Sequence, residues 1–346
     1  MALGYQTAGD LAAGLLPLHI RGKAIAQTIQ DKPMLKWWES KKKTFSGGLN
    51  FNITEQVQGQ YMSDTYTLQG YSQDDQLNFG QAMNIQQTSW FGKEHNYGLI
   101  ITWTELKQSG VSIDGNQQVR RHSEKELYVL TDILENRMSD FAESYTRGKA
   151  RLLFLDGSQD PKAMAGFQSI ITDTPTVGTT GGISRSAYPW WQHRQNLAMA
   201  TSGQDQTLCR TMQSELDLLR LYGGRPNKAF CGLDFLNALR AEVRAKGQYT
   251  VEGFTKDATN DFGQGAMSLM GLGKFEWEPM FDQLGWGKRC VVLDSKHITY
   301  RPMEDEDDKT QSPVRPYNYL VFLHNITLTA AMTANQLNCQ GNYGIA

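Results

Sequence analysis

The sequence predicts an α+β protein in which strand-rich and helical regions follow one another along the chain. Three patterns support this fold class. Apolar and polar residues alternate through residues 46–98, with the period of a β-strand. An apolar stripe with helical spacing runs through residues 123–155. Further helix and short-strand patterns fill the second half of the chain, and no internal repeat is visible.

The composition favours a protein rich in β-structure and interfaces over a highly charged monomer. Of 346 residues, 40% are hydrophobic and only 20% are charged, and neutral polar residues replace the missing charge. The formal net charge is -2, so strong bulk attraction to nucleic acid or anionic lipid is not expected. No signal peptide or stretch of roughly 20 apolar residues is recognisable. We therefore expect synthesis in a cytoplasm and no membrane span.

Residues 1–45 are interpreted as an N-terminal arm, because small apolar residues and glycine are scattered there without a lasting period. A short helix is predicted at about 20–31, ending before Pro33. Trp37 and Trp38 then follow in a segment predicted to be extended, where adjacent side chains point to opposite sides. Both are buried only if something covers the arm. The alternative places one in the core and the other on the surface.

Three consecutive lysines, Lys41, Lys42 and Lys43, follow the two tryptophans. Such a cluster can contact nucleic acid or an acidic patch on a partner protein. The alternative is a solvated run of charge without a specific partner.

Residues 46–98 predict a long β-hairpin. The segment contains nine glutamines but only six charged residues, and Gly59, Gly70 and Asp74-Asp75 supply turn chemistry. Two strands of about 15–20 residues would span roughly 50–65 Å at about 3.3 Å per residue, and an isolated two-stranded ribbon is marginal in water. We therefore expect the ribbon to lie on another surface, for which a neighbouring subunit is the natural candidate. The alternative is a hairpin folded onto its own domain.

The clearest single element is a helix over residues 123–155. Residues 99–110 begin as a buried strand, and Ser123 with Glu126 then forms a capping box. Asp156-Gly157 offers a stop. At 1.5 Å per residue the helix is about 50 Å long, which is the length of a structural spine. Its apolar stripe consists of Leu127, Leu130, Leu134, Met138, Phe141 and Tyr145.

The second half of the chain is predicted as alternating loops, helices and short strands. The predicted segments are a loop-rich region at 157–192, two helices within 205–246 with a strand at 229–231 between them, short strands with glycine turns at 262–300, an acidic loop at 304–309 and a final β segment at 317–333.

No sequence motif for catalysis or cofactor binding is present. The chain lacks a zinc-protease motif, a Walker A loop, a nucleophile elbow and a dinucleotide fingerprint. Its six histidines are far apart, and its four cysteines are isolated and expected to be free buried thiols. The acidic loop lacks the spacing of a calcium-binding loop, so a solvated loop is expected there. We therefore predict no catalytic residue, no cofactor and no metal, and a protein that is not an enzyme.

Two local sequences carry a resemblance to a known family. Thr-Trp-Thr-Glu-Leu-Lys-Gln-Ser-Gly at 102–110 precedes the long helix, and Gly-Gly-Ile-Ser-Arg at 181–185 precedes Trp190-Trp191. Together with the order of elements, these segments resemble the major capsid proteins of tailed bacteriophages, which have the HK97-like fold.

The resemblance implies a division of the chain. The chain would consist of an N-terminal arm (1–45), an extended β-hairpin loop (46–98), a peripheral domain (99–169) with a spine helix (123–155), an axial domain (170–290) and C-terminal strands (291–346). These C-terminal strands would return to the peripheral or axial sheet.

The resemblance also implies a function. The expected role is self-assembly into the hexamers and pentamers of an icosahedral phage head that encloses double-stranded DNA. Expected partners are other copies of the chain, scaffolding and portal proteins, with decoration proteins as a further option, and packaged DNA through weak nonspecific contact. The expected location is the virion, after assembly in the host cytoplasm, without a membrane. Aromatic residues often anchor interfaces. We therefore expect inter-subunit contacts at Trp37, Trp38, Tyr61, Tyr66 and Tyr71, and an inner-surface basic cluster at Lys41, Lys42 and Lys43.

Three alternatives remain open. An encapsulin-type compartment shell would assemble alone and bind a cargo tail. A tail or decoration component would form rings or trimers but not closed shells. An enzyme whose site is scattered in the sequence would be active as a monomer.

Overall fold

The computed structural model describes residues 30–47, 51–59, 70–76, 85–108, 124–201, 207–245, 266–269, 273–314 and 321–346. These residues belong to two compact units. Of the described residues, the first unit comprises Gln30, His95–Lys149 and Asp305–Leu328. The second unit comprises those within Asp31–Glu94, Ala150–Glu304 and Thr329–Ala346.

The helices of the described residues vary from one turn to eight turns. They are α1 (Pro33–Ser40), α2 (Trp103–Gln108), α3 (Glu124–Phe154), α4 (Phe167–Ile170), α5 (Leu208–Arg220), α6 (Leu233–Ala245) and α7 (Pro279–Gln283). None of these helices combines the length and the apolar character that a membrane crossing requires.

The strands of the described residues are mostly short. They are β1 (Asn52–Gln58), β2 (Ile85–Phe91), β3 (Lys93–Thr102), β4 (Thr179–Thr180), β5 (Ile183–Ser184), β6 (Arg194–Met199), β7 (Lys228–Cys231), β8 (Ala266–Leu269), β9 (Gly273–Trp277), β10 (Arg289–Leu293), β11 (Ile298–Pro302), β12 (Lys309–Val314), β13 (Val321–Ala334) and β14 (Gly341–Ile345).

The helix predicted over 123–155 is confirmed as the 31-residue α3. In the first unit its Phe141 is buried and packs against Tyr97 of β3 and His324 of β13, with ring centroids 5.2 and 5.5 Å away. The chain leaves the helical path before Gly157, whose φ of +89° is favourable only for glycine. The residues that were expected to stop the helix therefore do so.

The first unit also contains strand pairing around β13. Residues 323–327 of this strand pair antiparallel with β12, and β3 also pairs with β13. The β segment predicted at 317–333 is confirmed as β13, which extends from Val321 to Ala334.

Six of the described strands form one mixed sheet in the second unit, in the order β6-β14-β10-β7-β9-β8. The pairs β6–β14 and β7–β9 are parallel, and the other neighbours are antiparallel. Apolar residues of α5 and α6 pack with those of the sheet into one core. The two helices predicted within 205–246 and the strand between them are confirmed, whereas no local pattern predicted β14, which lies within the range 291–346 where the resemblance implied C-terminal strands.

The end of the arm differs from the prediction. Pro33 begins α1 instead of following a helix, because the first turn of a helix does not use the amide hydrogen that proline lacks. Trp37 and Trp38 lie in this helix and are 7% and 2% exposed, so the predicted extended conformation is wrong. The helix predicted at about 20–31 falls almost entirely outside the described residues.

Candidate assembly surfaces

The base of the predicted ribbon has two chemically different faces. β1 and β2 pair antiparallel, from Asn52 opposite Phe91 to Gln58 opposite Ile85. Side chains alternate between the two faces of such a pair. The inner face carries the buried Ile53, Val57, Thr88 and Trp90 and the half-buried Glu55 and Gln86. The outer face carries Asn52, Thr54, Gln56, Gln58, Ile85, Gln87, Ser89 and Phe91, which are exposed except for the half-buried Ser89.

The inner face rests on residues of the same unit. The Arg301 guanidinium forms an ion pair with the Glu55 carboxylate, and Thr88 Oγ1 donates a hydrogen bond to the Glu55 carbonyl oxygen at 3.1 Å. The ring of Trp190 lies directly against Gly59 at the end of β1, where a Cβ atom would approach it to 2.0 Å. Only glycine fits at this position, so the close approach of Trp190 fixes the end of β1 on the unit.

The Gly-Gly-Ile-Ser-Arg segment forms the support for the other strand of the ribbon. Gly181 and Gly182 have φ values of +60° and +82° and connect β4 to β5 as a two-residue hairpin turn. The amide of Ser89 donates to the Gly181 carbonyl oxygen at 2.9 Å, and the ring of Trp90 lies against Gly181. This stretch, predicted only as loop-rich, is therefore a small hairpin that holds β2.

The two tryptophans that follow this hairpin have separate roles. Trp191 is buried, and its indole Nε1–H donates to the Thr180 carbonyl oxygen at 2.9 Å. This hydrogen bond attaches the β4–β5 hairpin to the buried Trp191 side chain. Trp190 is half-buried and supports Gly59 of the ribbon. The sequence from Gly181 to Trp191 thus holds both strands of the ribbon base.

These contacts concern only the base of the ribbon, and the prediction that the ribbon lies on a neighbouring subunit stays a prediction. In its described part, the ribbon folds onto its own unit through the inner face, which was the alternative reading. The outer face remains open in the single chain. It carries no charged residue, and its exposed apolar side chains, Ile85 and Phe91, stand at opposite ends of β2.

A buried carboxylate holds the end of the arm. Glu278 Oε2 accepts a hydrogen bond from the Met34 amide at 2.8 Å, and Oε1 accepts one from the Met280 amide at 3.3 Å. These amides lie in the first turns of α1 and α7, whose N-terminal N–H groups have no partner within their own helices. Burial is the largest influence on this side chain and raises the pKa of Glu278 to about 7.

The acidic loop at 304–309 is organised around a buried lysine. Lys149 of α3 is almost fully buried, and its Nζ lies 2.6 Å from Asp308 Oδ2 and 4.0 Å from Asp307 Oδ1. The Tyr145 hydroxyl donates a further hydrogen bond to Asp308. The prediction of a merely solvated loop is therefore wrong at these two carboxylates, because a lysine ammonium compensates their charge.

The fold of the chain is found again in solved capsid structures. The alignment with the cyanophage A-1(L) capsid asymmetric unit has a TM-score of 0.62 and 10% identity and covers 93% of this chain and 95% of that chain. For the capsid of Myoviridae phage XM1 these values are 0.52, 9%, 94% and 97%, and for the capsid of the native GTA particle they are 0.51, 12%, 97% and 98%. A scan of protein-family models and a search of curated protein sequences give no match.

This chain has the fold of phage capsid proteins. The prediction of a mixed α and β capsid fold is thereby confirmed, and the match extends over nearly the whole of both chains. Identities near 10% mean that the likeness lies in the path of the backbone, and that side-chain roles must be read from this chain itself.

Within this capsid fold, the aromatic residues expected at subunit contacts have different surroundings. Trp37 and Trp38 pack inside the second unit, so little of either side chain is left for a neighbour. Tyr71 is 72% exposed. Tyr61 and Tyr66 lie outside the described residues.

The basic cluster is at the surface. Lys41, Lys42 and Lys43 are all exposed, and the Lys43 amide donates to the Tyr300 carbonyl oxygen at 3.1 Å. This backbone bond fixes the position of the cluster beside β11. The three side chains thus form a localised positive patch on a chain that is otherwise close to neutral.

Sequence reasoning missed several residues of the capsid fold that position these surfaces. Glu278 and Lys149 are single charged residues whose importance depends on burial, which no local pattern reveals. Gly59 is predicted to supply a turn, whereas the structure requires glycine there because the Trp190 ring lies too close for a Cβ atom. The cysteine prediction is confirmed for Cys231, Cys290 and Cys339, which are buried and free, and needs correction for the half-buried Cys209.

Proposed function

We propose that this chain is a major capsid protein that self-assembles into the hexamers and pentamers of an icosahedral phage head around double-stranded DNA. The observation that carries the proposal is the likeness of fold to the cyanophage A-1(L) capsid chain over 93% of the present chain. A structural role without catalysis agrees with the lack of sequence motifs for catalysis. The proposed location is the virion, after assembly in the host cytoplasm.

In this proposal the chain has the division that the family resemblance implies. The arm is 1–45, the extended loop is 46–98, the peripheral domain is 99–169, the axial domain is 170–290 and the C-terminal strands are 291–346. The support is the position of the confirmed elements, because α3 lies within the peripheral range and α5 and α6 lie within the axial range.

The outer face of the ribbon base is the proposed contact with a neighbouring subunit. Its inner face is already occupied by residues of the same unit, whereas the outer face exposes Gln56, Gln58 and Gln87 together with Ile85 and Phe91. Neutral amides and isolated apolar side chains suit an interface that many copies form together, since each contact can be weak when several act around a ring. Tyr71, which is strongly exposed, is proposed to join the same contact.

The remaining partners follow from the same role. Scaffolding and portal proteins are proposed partners, and decoration proteins are a further option. Lys41, Lys42 and Lys43 are proposed to face the DNA on the inner surface, where three exposed lysines supply a weak contact that does not depend on base sequence.

The first test is to express the chain with and without a scaffolding protein and to examine the purified product by electron microscopy. Closed shells that contain no protein cargo, or that package DNA in an infected cell, are the expected result. Shells that recruit a protein through a cargo tail would favour the encapsulin-type compartment. A stable monomer under all assembly conditions would contradict the proposal.

A second test addresses the ribbon. Replacing residues 60–84 by a single Asn leaves Gly59-Asn as a two-residue turn between Gln58 and Ile85, which are already paired. This variant keeps Gly59 against the Trp190 ring and removes everything beyond the supported base. We expect a folded subunit that forms no shells. Normal shells from this variant would refute the role assigned to the ribbon.

A charge placed on the outer face is a finer probe. Gln56 and Gln87 are paired and exposed, so Gln56→Lys with Gln87→Lys brings two like charges to the proposed contact without disturbing the inner face. The matched control is Gln56→Asn with Gln87→Asn. We expect shells from the asparagine variant and only subunits or small oligomers from the lysine variant, with equal thermal unfolding of the two unassembled proteins.

A further inference from the structure

Three potential metal ligands that are remote in sequence meet in the second unit. Asp294 and His297 lie in the turn between β10 and β11, and Cys339 lies in the loop between β13 and β14. One carboxylate oxygen, one imidazole nitrogen and the thiol sulfur lie within 4.8 Å of one another. Asp294 and Cys339 are buried and His297 is half-buried, so this cluster is separated from bulk water on most sides.

The surroundings of His297 orient its ring toward the other two groups. Its Nδ1 lies 2.9 Å from Asn335 Oδ1, an acceptor, so Nδ1 carries the hydrogen. The lone pair is then on Nε2, and Nε2 is the nitrogen that lies 4.0 Å from Asp294 Oδ2. A histidine that donates one ring N–H to a fixed acceptor and presents the other nitrogen is the usual arrangement of a metal-binding histidine.

Backbone and amide donors hold the other two groups in place. The amides of Arg225 and Lys296 donate to the two carboxylate oxygens of Asp294, each at 2.9 Å. Gln340 Nε2 lies 3.2 Å from Cys339 Sγ and donates toward it. Burial and the nearby Asp294 carboxylate raise the pKa of the Cys339 thiol to about 12, and the Gln340 donor offsets only part of this effect. A bound cation would supply the remaining stabilisation of the thiolate.

We propose that Asp294, His297 and Cys339 bind one zinc ion. Carboxylate, imidazole and thiolate are all ligands of zinc, whereas the sulfur disfavours magnesium and calcium, which prefer oxygen. The three protein ligands leave a fourth position for water. On binding, the Cys339 thiol gives its proton to solvent and its hydrogen bond to the Gln336 carbonyl oxygen, now 3.4 Å long, is lost.

A cation here would link the end of β10 to the segment that leads into its partner β14. Asp294 follows the last residue of β10, and Cys339 precedes β14, which pairs with β10 from Arg289 opposite Gly344 to Val292 opposite Gly341. Zinc would thus hold together one end of an inner strand pair of the six-stranded sheet. Because a ligand that binds the folded state raises its stability, the effect would appear as a higher unfolding temperature.

The test is metal analysis of the purified full-length protein after dialysis against zinc, with Co²⁺ substitution as the spectroscopic probe. We expect one zinc ion per subunit, and with Co²⁺ a sulfur-to-cobalt charge-transfer band together with the strong visible bands of a tetrahedral site. Cys339→Ser should abolish the charge-transfer band, and His297→Gln should abolish stoichiometric binding. Cys209→Ser, which changes a cysteine remote from the cluster, is the matched control and should keep both properties.

A variant that keeps all three ligands protects the test against a loss of folding. Asn335→Leu removes only the acceptor that orients His297, and changes of this kind typically weaken metal affinity by about 10- to 100-fold. We expect this weaker zinc affinity to be measured when the variant competes for zinc with a chromophoric chelator, while the circular dichroism spectrum stays unchanged. Zinc well below one ion per subunit, or a cobalt spectrum that Cys339→Ser leaves unchanged, would overturn the proposal. Neither outcome depends on whether the protein forms shells.

Discussion

The buried Glu278 makes the stability of the second unit depend on pH, and replacing it by glutamine tests this. The pKa of Glu278 is about 7 in the folded protein, against an ordinary value of 4.5. Between these two values the folded state holds a proton that the unfolded state releases. The stabilising contribution is therefore complete below pH 4.5 and is lost as the pH rises through about 7.

The size of the effect follows from the same two values. The difference between 4.5 and about 7 corresponds to about 3 kcal/mol in the free energy of unfolding. The side chain is only 1% exposed, so solvent provides little screening. Neighbouring charges act in opposite directions, since Asp31 raises the pKa and Lys32 lowers it. Glu278→Gln keeps the size of the side chain and one acceptor but cannot ionise.

The assay is urea unfolding of the unassembled subunit, followed by tryptophan fluorescence, at a series of pH values from about 4.5 to about 8. We expect the stability advantage of the wild type over Glu278→Gln to fall by about 3 kcal/mol across this range. Glu94→Gln, at an exposed position, is the control and should follow the wild type at every pH. Parallel profiles for the wild type and Glu278→Gln would refute the reasoning.

Two further changes test the supports described above. Lys149→Met leaves the Asp308 carboxylate without its ammonium partner. We expect the free energy of unfolding in urea at neutral pH to fall by about 2 kcal/mol. An unchanged unfolding midpoint would mean that solvent compensates the carboxylate and would contradict this prediction. Gly181→Ala and Gly182→Ala both place alanine at a left-handed φ, which lowers the stability of the fold by about 1 kcal/mol each. Only the Cβ atom at position 181 would also come within 2.8 Å of the Trp90 ring. We expect Gly181→Ala to cost about 1–3 kcal/mol more in thermal unfolding, and equal losses would contradict the proposed support of β2.

The sequence predicted those elements whose cause is local. The 31-residue α3 combines an apolar stripe of helical period with Gly157 as a stop, and both signals lie within the element itself. The helices α5 and α6 were predicted for the same reason. The prediction of an extended chain at Trp37 and Trp38 is wrong because a short helix that begins at Pro33 can bury both side chains against the rest of the unit.

Candidate sites could not be predicted where they depend on pairing between distant segments. Asp294 and Cys339 are brought together by the pairing of β10 with β14, a strand that the sequence analysis did not predict. Gly59 and Trp190 likewise meet only after the ribbon has folded back onto its own unit. A periodic pattern contains no information about which of two surfaces covers an apolar face, so it could not predict that the inner face of the ribbon base packs on its own unit.

The uncharged outer face of the ribbon base has a consequence for the kinetics of association. Long-range attraction between ionic groups accelerates encounters and is weakened by salt, and this face has no ionic group to contribute. Subunits that meet through the proposed contact would therefore associate through this face without electrostatic acceleration. The rate at which this particular contact forms would change little when sodium chloride is added.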